Sequence, residues 1–180
     1  AGTFQALEGQ SSCEKCAAGR YQNATGEPSC KDCEAGTISA AKGATTCTDC
    51  LAGQYQDAEG KTSCKACNNG ECITIAGICI TSSSTGGSGV TDCPEGQYCL
   101  GGEGFPKTPG TGKCITKGGS CITSASSGGE GEIICPAGSY CEDGIKKEPS
   151  PGECITIGGS CITSSSSTGG EGKKLCPVGF

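Results

Sequence analysis

Large apolar side chains are spread thinly along this chain, and they fall on a beat. Phe4, Tyr21, Ile38 and Tyr55 recur every 17 positions, each two residues after a glycine, with mostly polar residues between them. One large apolar residue per unit is too little to build a core alone, so its expected role is to cover a disulfide or stack on the next unit. The glycines predict turns between very short extended segments. Farther along, Ile and Thr cluster in CITIAGICIT (72–81), CITKGGSCIT (114–123) and CITIGGSCIT (154–163). These β-branched runs around a glycine-containing turn predict small β-hairpins. A Ser/Thr/Gly tract follows each one and predicts a solvated loop.

The cysteines keep the same time. Cys13, Cys30, Cys47 and Cys64 are 17 residues apart, as are Cys16, Cys33, Cys50 and Cys67. Two glycine positions repeat with them, Gly2, Gly19, Gly36, Gly53 and Gly70 at one, and Gly9, Gly26, Gly43 and Gly60 at the other. Adding Ser12, Ser29, Thr46 and Ser63 gives the unit G-x-[YFI]-x4-G-x2-[ST]-C-x2-C-x2. The second half changes motif. Cys72, Cys114 and Cys154 open units of about 41 residues, with Cys79, Cys121 and Cys161 seven residues later, then Cys93, Cys135 and Cys176, then Cys99 and Cys141 after six more. The expected organisation is four 17-residue repeats over 1–70, followed by four-cysteine repeats over 71–112, 113–152 and a truncated 153–180. The pattern asks for a cysteine two residues past Phe180, and the chain starts just after the place for a CxxC segment, so both ends read as interruptions of a longer array. Ala1 follows no charged and apolar leader, so a signal peptide is expected to have been removed or to lie upstream.

Composition explains what could hold such a chain. Among 180 residues there are 19 cysteines and 33 glycines, with only four tyrosines, three phenylalanines and no tryptophan. Little apolar area is available to offset about 1–2 kcal/mol of backbone entropy per ordered residue. A disulfide closing a loop of about 15 residues contributes roughly 3 kcal/mol, so many short staples supply what a core does not. Such bonds persist outside the cytosol, and an extracellular location, secreted or at the cell surface, is expected. The net charge of −6, with Lys146-Lys147 and Lys173-Lys174 the only basic pairs, gives nucleic acid no footing. No run approaches the 18 apolar residues of a membrane span.

Four CxxC pairs invite a zinc reading. Their even recurrence without any histidine favours structural disulfides. A redox CxxC needs a helix N-terminus and a βαβ setting, and neither pattern is visible. Without histidine, Ser-His and Cys-His nucleophile arrangements are impossible in this segment, and the scattered carboxylates read as solvated surface. No calcium-loop run is present; Glu71, Asp92 and Glu153 beside cysteines are weak candidates for an ion. No catalytic, cofactor or metal residue is therefore expected, and the chain is expected not to be an enzyme.

Disulfides are expected at Cys16, Cys30, Cys33, Cys47, Cys50, Cys64, Cys72, Cys79, Cys93, Cys99, Cys114, Cys121, Cys135, Cys141, Cys154 and Cys161. In the first array the expected ladder is Cys16–Cys30, Cys33–Cys47 and Cys50–Cys64, each bond closing a similar loop. Pairing inside each CxxC stays open as the alternative, because sequence does not fix connectivity. Asn23-Ala24-Thr25 is the only N-x-[ST] sequon and marks Asn23 as a candidate glycan carrier. The polar tracts offer O-glycan acceptors at Thr81, Ser82, Ser83, Ser84, Thr85, Thr123, Ser124, Ser126, Ser127, Thr163, Ser164, Ser165, Ser166, Ser167 and Thr168, with bare linkers as the other reading.

The G-x-[YF] and C-x2-C spacing of roughly residues 1–70 resembles the ephrin-receptor-like cysteine-rich repeats of extracellular proteins, and more distantly tumour-necrosis-factor-receptor and EGF-like modules. The CIT units match no named family. The resemblance implies an elongated extracellular module with little regular secondary structure. The expected fold is thus a rod of small disulfide-rich repeats built from short β-hairpins and turns. Regularity favours a self-assembling shaft of an extracellular filament or cell-surface fibril, of the mastigoneme kind, whose partners are copies of itself, with other extracellular proteins in second place. The stalk or ligand-binding ectodomain of a receptor or adhesin is the alternative.

Overall fold

The computed structural model describes residues 1–82, 85–125, 128–162 and 166–177. Among them there is no helix, and the strands run from two to five residues. The chain divides into two compact units, one made of Ala1–Asn68, Cys72–Thr91 and Gly101–Phe105, the other of Asn69–Glu71, Asp92–Leu100 and Pro106–Phe180.

In the first unit each 17-residue repeat folds as one two-stranded antiparallel sheet. The pairs are Thr3–Phe4 with Glu14–Lys15, Arg20–Tyr21 with Lys31–Asp32, Thr37–Ile38 with Thr48–Asp49, and Gln54–Tyr55 with Lys65–Ala66. Two-residue strands cannot stand alone, and here the backbone ties each repeat to two others. Gly2, Gly19 and Gly36 donate their N–H groups to the carbonyls of Gln22, Ser39 and Gln56 in the following repeat, at 2.6, 2.7 and 2.7 Å. Gly43 and Gly60 donate to Cys16 and Cys33, two repeats back, at 2.8 Å each. Gly2, Gly19 and Gly53 leave no room for a side chain, since each has positive φ and faces a backbone carbonyl. Gly53 has φ +75°, and a Cβ there would run into the carbonyl of Gly102.

The longer units change spacing but keep this frame. In the short repeats Cys16, Cys33 and Cys50 close the unit by donating to Gly2, Gly19 and Gly36 at 3.0, 2.9 and 2.9 Å. In the second unit Cys93, Cys135 and Cys176 do the same to Gly70, Gly112 and Gly152 at 2.7, 2.9 and 2.9 Å. The glycine-to-cysteine bond recurs as Gly128 to Cys93 and Gly169 to Cys135, each one 41-residue unit back, at 3.2 and 2.7 Å, and in the first unit as Gly86 to Cys50 at 3.0 Å. A 41-residue unit is therefore a short repeat with a CIT hairpin inserted, followed by a second small hairpin.

The inserted hairpins match the expectation from β-branched residues. Lys113–Lys117 is the central strand between Ser120–Cys121 and Gly131–Ile134, and Glu153–Ile157 lies likewise between Ser160–Cys161 and Gly172–Leu175. Glu71–Ile75 is flanked by Ile78–Cys79 and Gly89–Asp92. Their tight turns need positive φ, met by Gly118-Gly119 and Gly158-Gly159 and, in the first hairpin, by Ala76 at φ +51° with Gly77. The second hairpins pair Tyr98–Cys99 with Pro106–Lys107, and Tyr140–Glu142 with Ile145–Lys147.

Sulfur dominates the interior. Cys16, Cys33, Cys72, Cys99 and Cys114 are fully buried, as are Ile73 and Ile115, with Tyr98 and Tyr140 nearly so. Phe4, Tyr21, Ile38 and Tyr55 are only half-buried. One expectation is corrected here: the polar tracts are not solvated to their ends. Gly87, Gly128, Gly129, Gly169 and Gly170 are buried, because the absence of a side chain lets Gly87 meet Ile73 and lets Gly129 meet Ile115.

Candidate functional site

Three regular features could carry function: the disulfide frame, the polar clamps on it, and its exposed loops. The structure joins Cys16 to Cys30, Cys33 to Cys47 and Cys50 to Cys64, each across 14 residues with Cα atoms 5.7–5.8 Å apart. Cys16, Cys33 and Cys50 lie inside and Cys30, Cys47 and Cys64 at the rim, so each bond anchors the outer loop of the next repeat to the buried frame. In the CIT hairpins Cys72–Cys79, Cys114–Cys121 and Cys154–Cys161 close seven-residue steps, and Cys93–Cys99 and Cys135–Cys141 close six-residue ones. Cys13, Cys67 and Cys176 carry free thiols, exposed, buried and half-buried in turn. Cys67 packs beside Gly104 and Ile73, and at the equivalent place in the second unit Pro109 packs beside Gly144 and Ile115.

Each outer loop of the first array is held by one side chain. The Gln22 amide donates from Nε2 to the Ser29 carbonyl at 2.7 Å, while its Oε1 accepts from the Ala24 N–H at 3.1 Å. Gln56 repeats both bonds with Ser63 and Ala58 at the same distances. Gln5 makes the same pair with Ser12 and Leu7. The third repeat substitutes Ser39, whose hydroxyl donates to Ala41 at 3.1 Å. Gln22 and Gln56 are buried, and both amide ends are satisfied, as burial of a polar group requires. Sequence reasoning missed these glutamines, although Gln5, Gln22 and Gln56 follow Phe4, Tyr21 and Tyr55 in phase.

A charged clamp recurs in the second unit with its signs exchanged. Lys113 Nζ meets Glu132 Oε1 at 2.7 Å, and the Gly110 N–H donates to Glu132 Oε2 at 2.8 Å. In the next repeat Glu153 takes the lysine's place and Lys173 the glutamate's, again at 2.7 Å. Burial pushes the Glu132 carboxyl up, but bonds from Lys113, Gly110 and Tyr98 and the Lys113 charge outweigh it and hold Glu132 below the usual carboxylate range. Lys113 is raised in turn, chiefly by its bond to Glu132. Burial, the charge of Glu132 and a hydrogen bond to it push the Tyr98 phenol upward.

The candidate modification residues that are described lie outside this frame. Asn23 is exposed in the loop between Arg20–Tyr21 and Lys31–Asp32. Thr81, Ser82, Thr85, Thr123, Ser124 and Ser167 are exposed, while Ser166 and Thr168 are half-buried, with the Ser166 hydroxyl donating to the Thr168 carbonyl at 3.0 Å. Ser83, Ser84, Ser126, Ser127, Thr163, Ser164 and Ser165 lie outside the described residues. Of the weak ion candidates, Glu153 is taken up by Lys173 and by the Ser150 N–H at 2.9 Å. Among the described residues no three His, Cys, Asp or Glu side chains gather as a metal site. One hollow, of about 390 Å³, lies beside Thr108–Lys113 and Cys141–Gly144.

Fold and bonding define a class, that of small disulfide-rich repeats of short β-hairpins. Residues 2–46 and 36–77 match the family described as tyrosine-protein kinase ephrin type A/B receptor-like. Residues 2–77 are thus similar to ephrin-receptor-like cysteine-rich repeats, and that likeness and the disulfides together suggest an extracellular location. No curated protein matches the chain.

Proposed function

We propose that this chain is a non-enzymatic structural component of an extracellular filament or cell-surface fibril, a disulfide-stapled shaft that assembles with copies of itself. The observation that carries this reading is the backbone frame itself. The closing bond of Cys16, Cys33 and Cys50 and the glycine-to-cysteine bond made by Gly43 and Gly60 recur in units of different length and sequence. A frame in which each repeat bonds only to near neighbours extends without a larger core, and its staples resist unravelling under load. The edge strands of the inserted hairpins, Ile78–Cys79, Ser120–Cys121 and Ser160–Cys161, offer backbone groups for lateral pairing.

A second reading has its own support. The ephrin-receptor-like match over residues 2–77 favours the stalk or ligand-binding ectodomain of a receptor or adhesin. Sedimentation and electron microscopy of the full-length native protein separate the two. Extended particles that associate with one another support the shaft. A monomer that binds a soluble extracellular protein and never self-associates overturns it in favour of the receptor reading.

A further inference from the structure

We propose that Asn23 carries an N-linked glycan, so that the second repeat is the sugar-bearing one of the first array. The chemistry begins with the triplet Asn23-Ala24-Thr25, which has a small central residue and is followed by Gly26. An acceptor of this kind works only where the amide and the hydroxyl both reach solvent on a surface loop. Both conditions hold: Asn23 and Thr25 are exposed, and they lie on the outer loop of a repeat. Gly26 beyond them has no atom within 4 Å of the place where a Cβ would stand.

The frame also explains why this position is free for modification. The Gln22 amide secures the loop from inside, through the Ser29 carbonyl and the Ala24 N–H. That leaves the Asn23 side chain with no part in holding the loop. Corresponding positions in the other repeats are Ala6, Ala40 and Asp57. Alanine has no group to glycosylate, and Asp57 is engaged by Lys65 at 2.7 Å. An amide appears at this place once, together with the hydroxyl two residues later that the reaction requires.

The step joins the Asn23 Nδ2 to the anomeric carbon of an oligosaccharide carried on a lipid pyrophosphate. The C–N bond forms as the bond from that carbon to the pyrophosphate oxygen breaks. The lipid pyrophosphate leaves with the electron pair, and the amide nitrogen gives up one proton. No electrons are exchanged, so no oxidant or reductant is needed.

This inference rests on the extracellular reading, since both glycan and disulfides require passage through a secretory compartment. One peptide map of the full native protein separates the two. Non-reducing digestion, with and without a peptide-N-glycosidase in heavy-oxygen water, reads the Cys16–Cys30 bond and Asn23 on one linked fragment. The expected result is an intact bond and enzymatic conversion of Asn23 to heavy-labelled aspartate. An intact bond with unmodified Asn23 overturns the glycan alone, whereas reduced Cys16 and Cys30 overturn the secretory reading as well. In a eukaryotic secretory host, N23Q and T25A are expected to lose the whole glycan mass and T25S to keep it. If N23Q and T25A are secreted with the Cys16–Cys30 bond closed and retain that mass, the site is elsewhere and the assignment fails.

Discussion

Gly53 and Gly102 approach so closely that the carbonyl oxygen of Gly102 occupies the space where a side chain on Gly53 would begin. A methyl group there must push two backbones apart and also accept φ +75°. Gly53→Ala is therefore expected to cost about 2–4 kcal/mol, a large effect for one methyl. Gly96 has a similar φ of +72° but nothing within 4 Å of its missing Cβ, so Gly96→Ala is expected to cost about 1–2 kcal/mol, the backbone term alone. Thermal melts of the two variants check the difference. Equal losses would show that packing at Gly53 contributes nothing.

The exchanged clamps predict a charge swap. Lys113→Glu or Glu132→Lys alone places like charges across one ladder and is expected to lower the denaturation midpoint. The double variant reproduces the Glu153 and Lys173 arrangement and is expected to recover most of that loss. A double-mutant cycle in chemical denaturation reads the coupling.

The same clamp sets a pH dependence. Glu132 titrates below its ordinary value in the folded chain, so its stabilisation is fully present above the unfolded pKa of about 4.3 and is lost as pH falls toward the lower folded value. Stability measured from pH 6 downward is expected to fall more steeply in the parent than in Glu132→Gln. Parallel curves would remove Glu132 from the account.

Gln22 is expected to be costly to truncate. Gln22→Ala leaves the Ser29 carbonyl and the Ala24 N–H without their partner, a loss of about 1–3 kcal/mol where the groups cannot reach water. Gln5 makes the same bonds in an exposed setting, so Gln5→Ala is expected to cost less. Hydrogen exchange of the Ala24 and Leu7 amides follows each loop individually.

Reduction is expected to destroy the fold and chelation to leave it intact. The buried interior is largely cysteine sulfur, and eight disulfides stand where an apolar core would otherwise be. Circular dichroism after dithiothreitol, set against EDTA, gives the comparison. Equal loss in both would assign the cysteines to a metal.

Much of the fold was legible because the sequence repeats its instructions. The phase of Gly19, Tyr21 and Cys33 marks where a repeat starts and where it closes. The Ile and Thr around Gly118-Gly119 mark a hairpin, since few other conformations suit β-branched residues beside a two-glycine turn. What stayed hidden is the frame common to both arrays. Gly86, Gly128 and Gly169 sit inside tracts whose serines and threonines read as solvent-facing, and nothing local distinguishes a docked glycine from a flexible one. Their partners, the carbonyls of Cys50, Cys93 and Cys135, lie more than thirty residues away and have no side-chain signature. The clamp of Lys113 on Glu132 was hidden for the same reason, because the registers of edge strands are set by turns that composition does not describe.

The insertion of a CIT hairpin between Gly70 and Cys93 leaves unchanged the bond by which Cys93 returns to Gly70. A repeat thus has a socket that can be filled at different lengths while its own closing bond stays the same. Copying one module lengthens the chain, and exchanging what fills the socket alters the surface it shows. What a new cassette has to reproduce is small, namely the contacts its ends make with earlier repeats, such as Gly86 with Cys50.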